Sequence, residues 1–119
     1  MLDLTALEAL GLDTEEGLAC CADDIEFYED MLREYIRESE TNQEQMQRFF
    51  EVRNWADYRI RAHSLKNTSR MIGASAVSEK AYGLELAAKA GDELSILTAH
   101  KPFLAEYSSL IDKLRETVG

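Results

Sequence analysis

His63 is one of two histidines in the chain, and it stands in the one stretch where the charge reverses sign. From Arg59 to Arg70 there are four basic residues, Arg59, Arg61, Lys66 and Arg70, and no acidic one. The formal net charge of the whole chain is -10, so these four cations leave -14 for everything outside them. An imidazole exposed to water is a nucleophile through its unprotonated nitrogen near neutral pH, and a lysine one helical turn away can neutralise an incoming anion. A phosphoryl group suits that pair, because its transfer asks chiefly for positioning and positive charge.

A helix is the element that would gather these groups. Arg59, His63, Lys66, Asn67 and Arg70 follow one another at helical spacing and share one polar face. Trp55, Tyr58, Ala62, Leu65, Ser69 and Ile72 form a second stripe on the same segment, and these are the positions expected to face a core. His63 lies about 100° around the helix from Ala62, which places it beside the core and in water.

The remaining chain shows the same three- and four-residue periodicity, interrupted by one proline and six glycines, with no alternating strand pattern. Leu2 to Leu10 predicts a leader turn closed by Gly11. Asp13 with Glu16 predicts a capped short helix ending near Cys21. Asp23 with Glu26 opens a long segment carrying Ile25, Tyr28, Leu32, Tyr35, Met46 and Phe49, whose polar middle at 38–43 adds little to the stripe. Asn54 with Asp57 starts the histidine helix, which ends near Gly73. Ser75 is the expected cap of a helix bearing Val77, Ala81, Leu84 and Ala88, closed by Gly91 and Asp92. The last segment carries Leu97, Leu104, Tyr107, Ile111 and Leu114, with Pro102 at a fresh first turn or a kink. Four helices, each apolar on one side, predict an all-α antiparallel four-helix bundle with a short extra N-terminal helix, a single domain over residues 1–119.

Composition removes several function classes. With 45% hydrophobic and 30% charged residues the chain is ordinary for a folded protein, and a pI near 4.6 argues against nucleic acid or an anionic membrane as partner. No apolar run reaches a membrane span, and Met1-Leu2-Asp3-Leu4 lacks the basic start of a signal peptide, so a cytoplasmic location is expected. Cys20 and Cys21 are adjacent, with no third cysteine, which fits a reducing compartment. A carboxylate-bridged di-metal bundle needs Glu-x-x-His pairs, but Ile60 and Leu97 stand three before the two histidines. His100 is expected to be a solvated, incidental residue near a helix start. Tyr28, Tyr35, Phe49 and Phe50 recur at core spacing, and no Gly-rich phosphate loop is present.

The order Ala62-His63-Ser64-Leu65-Lys66, with Gly73 ten residues past the histidine and Leu84-Glu85 and Ala90-Gly91-Asp92 further on, resembles histidine phosphotransfer (HPt) domains. The likeness extends upstream through the Gly17-Leu18 turn and Tyr28 to Ile36, spanning about Leu12 to Leu114. It implies a phosphoryl carrier without a nucleotide site, with His63 as phospho-acceptor and Lys66 stabilising the phosphoryl group. Partners would be response-regulator receiver domains and a hybrid histidine kinase. Arg59, Asn67, Arg70 and Glu85 are the implied partner-binding residues, Glu85 with a milder role in orienting the imidazole. No cofactor is implied on this chain, a Mg²⁺ ion belonging to the receiver alone, and the carrier is expected to be a monomer. The family usually has glycine where Asn67 stands, so Asn67 is expected to tune affinity or partner choice. The rival reading is a helical adaptor that binds a receiver or another acidic partner without being phosphorylated.

Overall fold

Short polar side chains set most of the helix starts. Asp3, Asp13, Asp24 and Asn54 each accept a hydrogen bond from a first-turn backbone N–H, a donor that has no partner inside its helix. The computed structural model describes residues 2–118, and six helices run between these punctuation points. They are α1 (Leu4–Ala9), α2 (Thr14–Cys20), α3 (Ile25–Glu51), α4 (Trp55–Met71), α5 (Ser75–Ala90) and α6 (Glu93–Val118). The leader turn is itself helical, so two short helices precede the bundle, and Gly17 lies inside α2 and not in a turn.

Packing runs in a ring, α3 on α4, α4 on α5, α5 on α6 and α6 back on α3, with α1 and α2 covering one end. Connections of two or three residues between ring neighbours make each neighbour antiparallel to the last. Arg33 near the start of α3 donates to the Val118 carbonyl at the end of α6, which gives the same direction for that pair. The core joins Tyr28, Leu32 and Met46 of α3, Tyr58, Ala62 and Leu65 of α4, Val77, Ala81 and Leu84 of α5, and Ile96, Phe103, Tyr107, Ile111 and Leu114 of α6.

Two caps differ from the expectation. Ala22 and Asp23 both adopt positive φ, +56° and +58°, so the chain turns for one residue longer and Asp24 caps α3 in place of Asp23. Ser75 is the first residue of α5, and the cap position falls to Ala74, which offers no side-chain bond. Gly73, at φ +82°, makes the turn between α4 and α5 and accepts the Asp13 N–H at 2.8 Å, tying α2 to the end of the histidine helix.

The polar middle of α3 stays within one continuous helix. Ser39 and Asn42 continue the buried stripe between Tyr35 and Met46. Asn42 donates to the Tyr107 hydroxyl at 3.2 Å and accepts from Arg61 at 3.2 Å, and Tyr35 pairs with Ser69 at 2.7 Å. The inside of the bundle thus carries a hydrogen-bonded polar layer.

α6 runs through Pro102 undivided, and its inward stripe reads Ile96, His100, Phe103, Tyr107; Leu97 is turned out to water. His100 is the clearest departure from the sequence reading, since it sits in mid-helix with 2% of its surface exposed. Its ring stacks on Phe50 at 3.9 Å between centroids, Nε2 lies 2.8 Å from Gln47 Oε1 and Nδ1 lies 2.8 Å from the Tyr58 hydroxyl. The Gln47 carbonyl accepts, so Nε2 carries the proton of the neutral ring and the tyrosine donates to Nδ1.

Burial pushes the His100 pKa down to about 4. Between that value and the ordinary one near 6.5, the unfolded chain binds the proton and the folded protein does not. Stability from neutral His100 is therefore complete above about pH 6.5 and falls as pH drops toward about 4. Chemical denaturation is expected to read a loss of about 2 kcal/mol between about pH 7 and pH 5 from this group, removed in His100→Gln; an equal slope in both proteins would contradict it.

Candidate functional site

The candidate site lies on the seam between α4 and α5, the most closely apposed pair of helices in the molecule. Small buried residues on both, Ala62 and Ser69 on α4 and Ser78 and Ala81 on α5, let the backbones approach. The Ser78 hydroxyl donates to the Lys66 carbonyl at 2.8 Å, pinning α5 to the turn that bears the histidine. Ala62 and Leu65 are buried on either side of the register, which leaves His63 pointing out with its side chain 53% exposed.

Glu85 of α5 reaches the ring. Its Oε2 lies 2.7 Å from His63 Nδ1, and its Oε1 lies 3.0 Å from Lys66 Nζ in an ion pair. Burial alone would raise the Glu85 carboxyl, but hydrogen bonds from Lys66 and His63 and the charges of both outweigh it and hold the group below the ordinary carboxylate range. An ionised carboxylate only accepts, so Nδ1 carries the ring proton and Nε2 keeps its lone pair. Lys66 Nζ also comes within 3.4 Å of Nδ1, but both atoms are then donors, and the lysine's ion pair is with the carboxylate. Asn67 Nδ2 stands 3.2 Å from Nε2, on the outer side of the ring.

The basic island divides on inspection. Arg61 turns inward to Asn42 and Gln45 of α3 and belongs to the polar layer. Arg70 pairs with Glu16 of α2 at 3.4 Å and stays exposed. Arg59 is exposed one turn before His63 and makes none of the ion pairs found among the described residues. The structure therefore gathers His63, Lys66, Asn67 and Glu85 into one cluster, with Arg59 and Arg70 flanking it along α4.

Two further residues belong to this surface and carry no charge to betray them. Tyr82, 47% exposed, offers its ring to the Lys66 ammonium at 4.9 Å from the centroid. Ile60, 62% exposed, stands three residues before His63 on the same helix. The signal for Tyr82 was its place three residues before Glu85, one turn away on α5.

A family model described as Hpt domain matches residues 30–117. The chain belongs to the Hpt domain family. No curated protein and no solved structure matches it. The match begins within α3 and takes in the whole of α4, α5 and the cluster around His63, while α1 and α2 lie outside it. Hpt domains are helical bundles that serve histidine phosphotransfer in two-component phosphorelays, working with receiver domains and kinases as phosphocarrier modules. Among the described residues no helix is long and apolar enough to cross a membrane.

Proposed function

We propose that His63 is the phospho-acceptor of this Hpt domain and that Nε2 is the atom that carries the phosphoryl group between receiver-domain aspartates. The observation that carries this reading is the 2.7 Å bond from Nδ1 to Glu85, which leaves the nucleophilic lone pair on the outward nitrogen. In the transfer step Nε2 forms its bond to phosphorus as the bond from phosphorus to the aspartyl oxygen breaks, and the aspartate leaves as a carboxylate. The ring becomes a cation that keeps its Nδ1 proton, and the Glu85 carboxylate balances that charge. Return of the phosphoryl group to a second receiver runs the same steps backwards.

Glu85 is then the residue that orients the imidazole and fixes its tautomer, and Lys66, held by the same carboxylate, keeps an ammonium beside the incoming oxygens. Arg59 and Arg70 extend the positive field along α4 toward an acidic receiver pocket, with Ile60 and Tyr82 as the apolar part of the contact. Mg²⁺ is needed on the receiver and not on this chain.

Incubation with a phosphorylated receiver tests the reading. The protein is expected to take up label that is acid-labile and base-stable, and a protein that binds the receiver but takes up none would be the unphosphorylated adaptor. Lys66→Ala is expected to slow uptake by roughly tenfold and to flatten its dependence on salt, since one charge-assisted contact is removed. Equal rates at every salt concentration would count against that role.

A further inference from the structure

Phosphoryl transfer at Nε2 leaves one contact unaccounted for. Among the described residues the hydrogen-bond partner of His63 Nε2 is Asn67, through Nδ2 at 3.2 Å. The orientation of that amide follows from the other side of the ring. Glu85 takes the proton at Nδ1, so Nε2 presents a lone pair, and the Asn67 carbonyl would set a second lone pair against it. Only the N–H side of the amide fits, and it donates to the electron pair that must attack phosphorus.

We infer that Asn67 caps the nucleophile. A lone pair shared with an N–H cannot form the bond to phosphorus, so His63 reacts only from the fraction of molecules in which the amide has turned away. Asn67 is exposed and its side chain can swing from the ring without disturbing the core, so the opening is a fast equilibrium that scales the rate down. The inference rests on His63 being the acceptor, and it assigns the residue after Lys66 a part in the chemistry separate from partner choice. A hydrogen bond of ordinary net strength would slow the reaction about two- to tenfold.

The test uses phosphoramidate as phosphoryl donor, which removes receiver docking from the measurement. Asn67→Ala is expected to be phosphorylated about two- to tenfold faster than the parent protein. Asn67→Asp, which can only accept and so draws a proton onto Nε2, is expected to be slower than the parent. In the unphosphorylated protein with a neutral ring, ¹⁵N NMR should show the Nε2 resonance of Asn67→Ala moving toward that of an imine nitrogen with no donor. An unmoved resonance, or an alanine variant no faster than the parent, overturns the cap. Failure of the parent protein to be labelled at His63 would instead overturn the acceptor assignment, and the NMR comparison would still decide whether the cap exists.

Discussion

His63→Gln is expected to lose all acid-labile, base-stable label from a phosphorylated receiver while keeping the stability of the parent protein. Glutamine preserves polarity and reach, but its amide nitrogen has no lone pair free to attack phosphorus, so the loss should reach background and not a partial rate. Stability is expected to change by less than about 0.5 kcal/mol, because the ring is half exposed and its Glu85 partner keeps the Lys66 ion pair. Label surviving in His63→Gln, at any residue, would remove the histidine from the mechanism.

Gly73→Ala is expected to be the most damaging single methyl group in the chain. Gly73 holds φ at +82°, where a side chain is strained, and an added Cβ would press into the backbone carbonyl of Asp13. That carbonyl belongs to the cap of α2, and the Asp13 N–H bonds back to the Gly73 oxygen, so neither strand of the contact can retreat without breaking the other. A cost on the order of 3 kcal/mol follows from strain and lost contact together, lowering the melting temperature by about 10 °C. A melting curve superimposable on that of the parent would show that the junction between α2 and α4 yields more easily than its geometry suggests.

The cluster was readable where a single helix decides geometry. His63, Lys66 and Asn67 lie within one turn and a half of α4, so spacing alone puts them together, and the structure adds only distances. Glu85 comes from another helix, and its pairing with His63 depends on how closely α4 and α5 approach, which no periodicity states. A carboxylate near a phosphate site by itself suggests repulsion, and the orienting role that the resemblance implies for Glu85 rests instead on its contact with Nδ1.

Ser69 apart, which the stripe of α4 placed in the core, sequence reasoning missed the polar residues that face inward. Ser39, Asn42 and His100 occupy core positions of α3 and α6, but a stripe drawn from apolar residues alone passes over them. On α6 the expected stripe is one residue out at its start, at Leu97 and Leu104 where Ile96, His100 and Phe103 face the core, while Tyr107, Ile111 and Leu114 lie inward as expected. Arg61 falls in the basic stretch but off the face shared by Arg59, His63, Lys66, Asn67 and Arg70, and its partners Asn42 and Gln45 could not be recognised as lying against α4. Asn42, His100 and Arg61 each bond a partner more than fifteen positions away, and such pairs are set by tertiary packing, whereas Ser39 turns back to the Ile36 carbonyl three residues before it.

The measurement closest to the central claim is the identity of the nitrogen that bears phosphorus. Phosphorylated, ¹⁵N-labelled protein examined by ¹H–¹⁵N and ³¹P correlation is expected to show a single phosphohistidine at His63, phosphorus on Nε2 and the proton on Nδ1, as the Glu85 bond requires. Phosphorus on Nδ1, or on any other residue, would contradict the proposed mechanism.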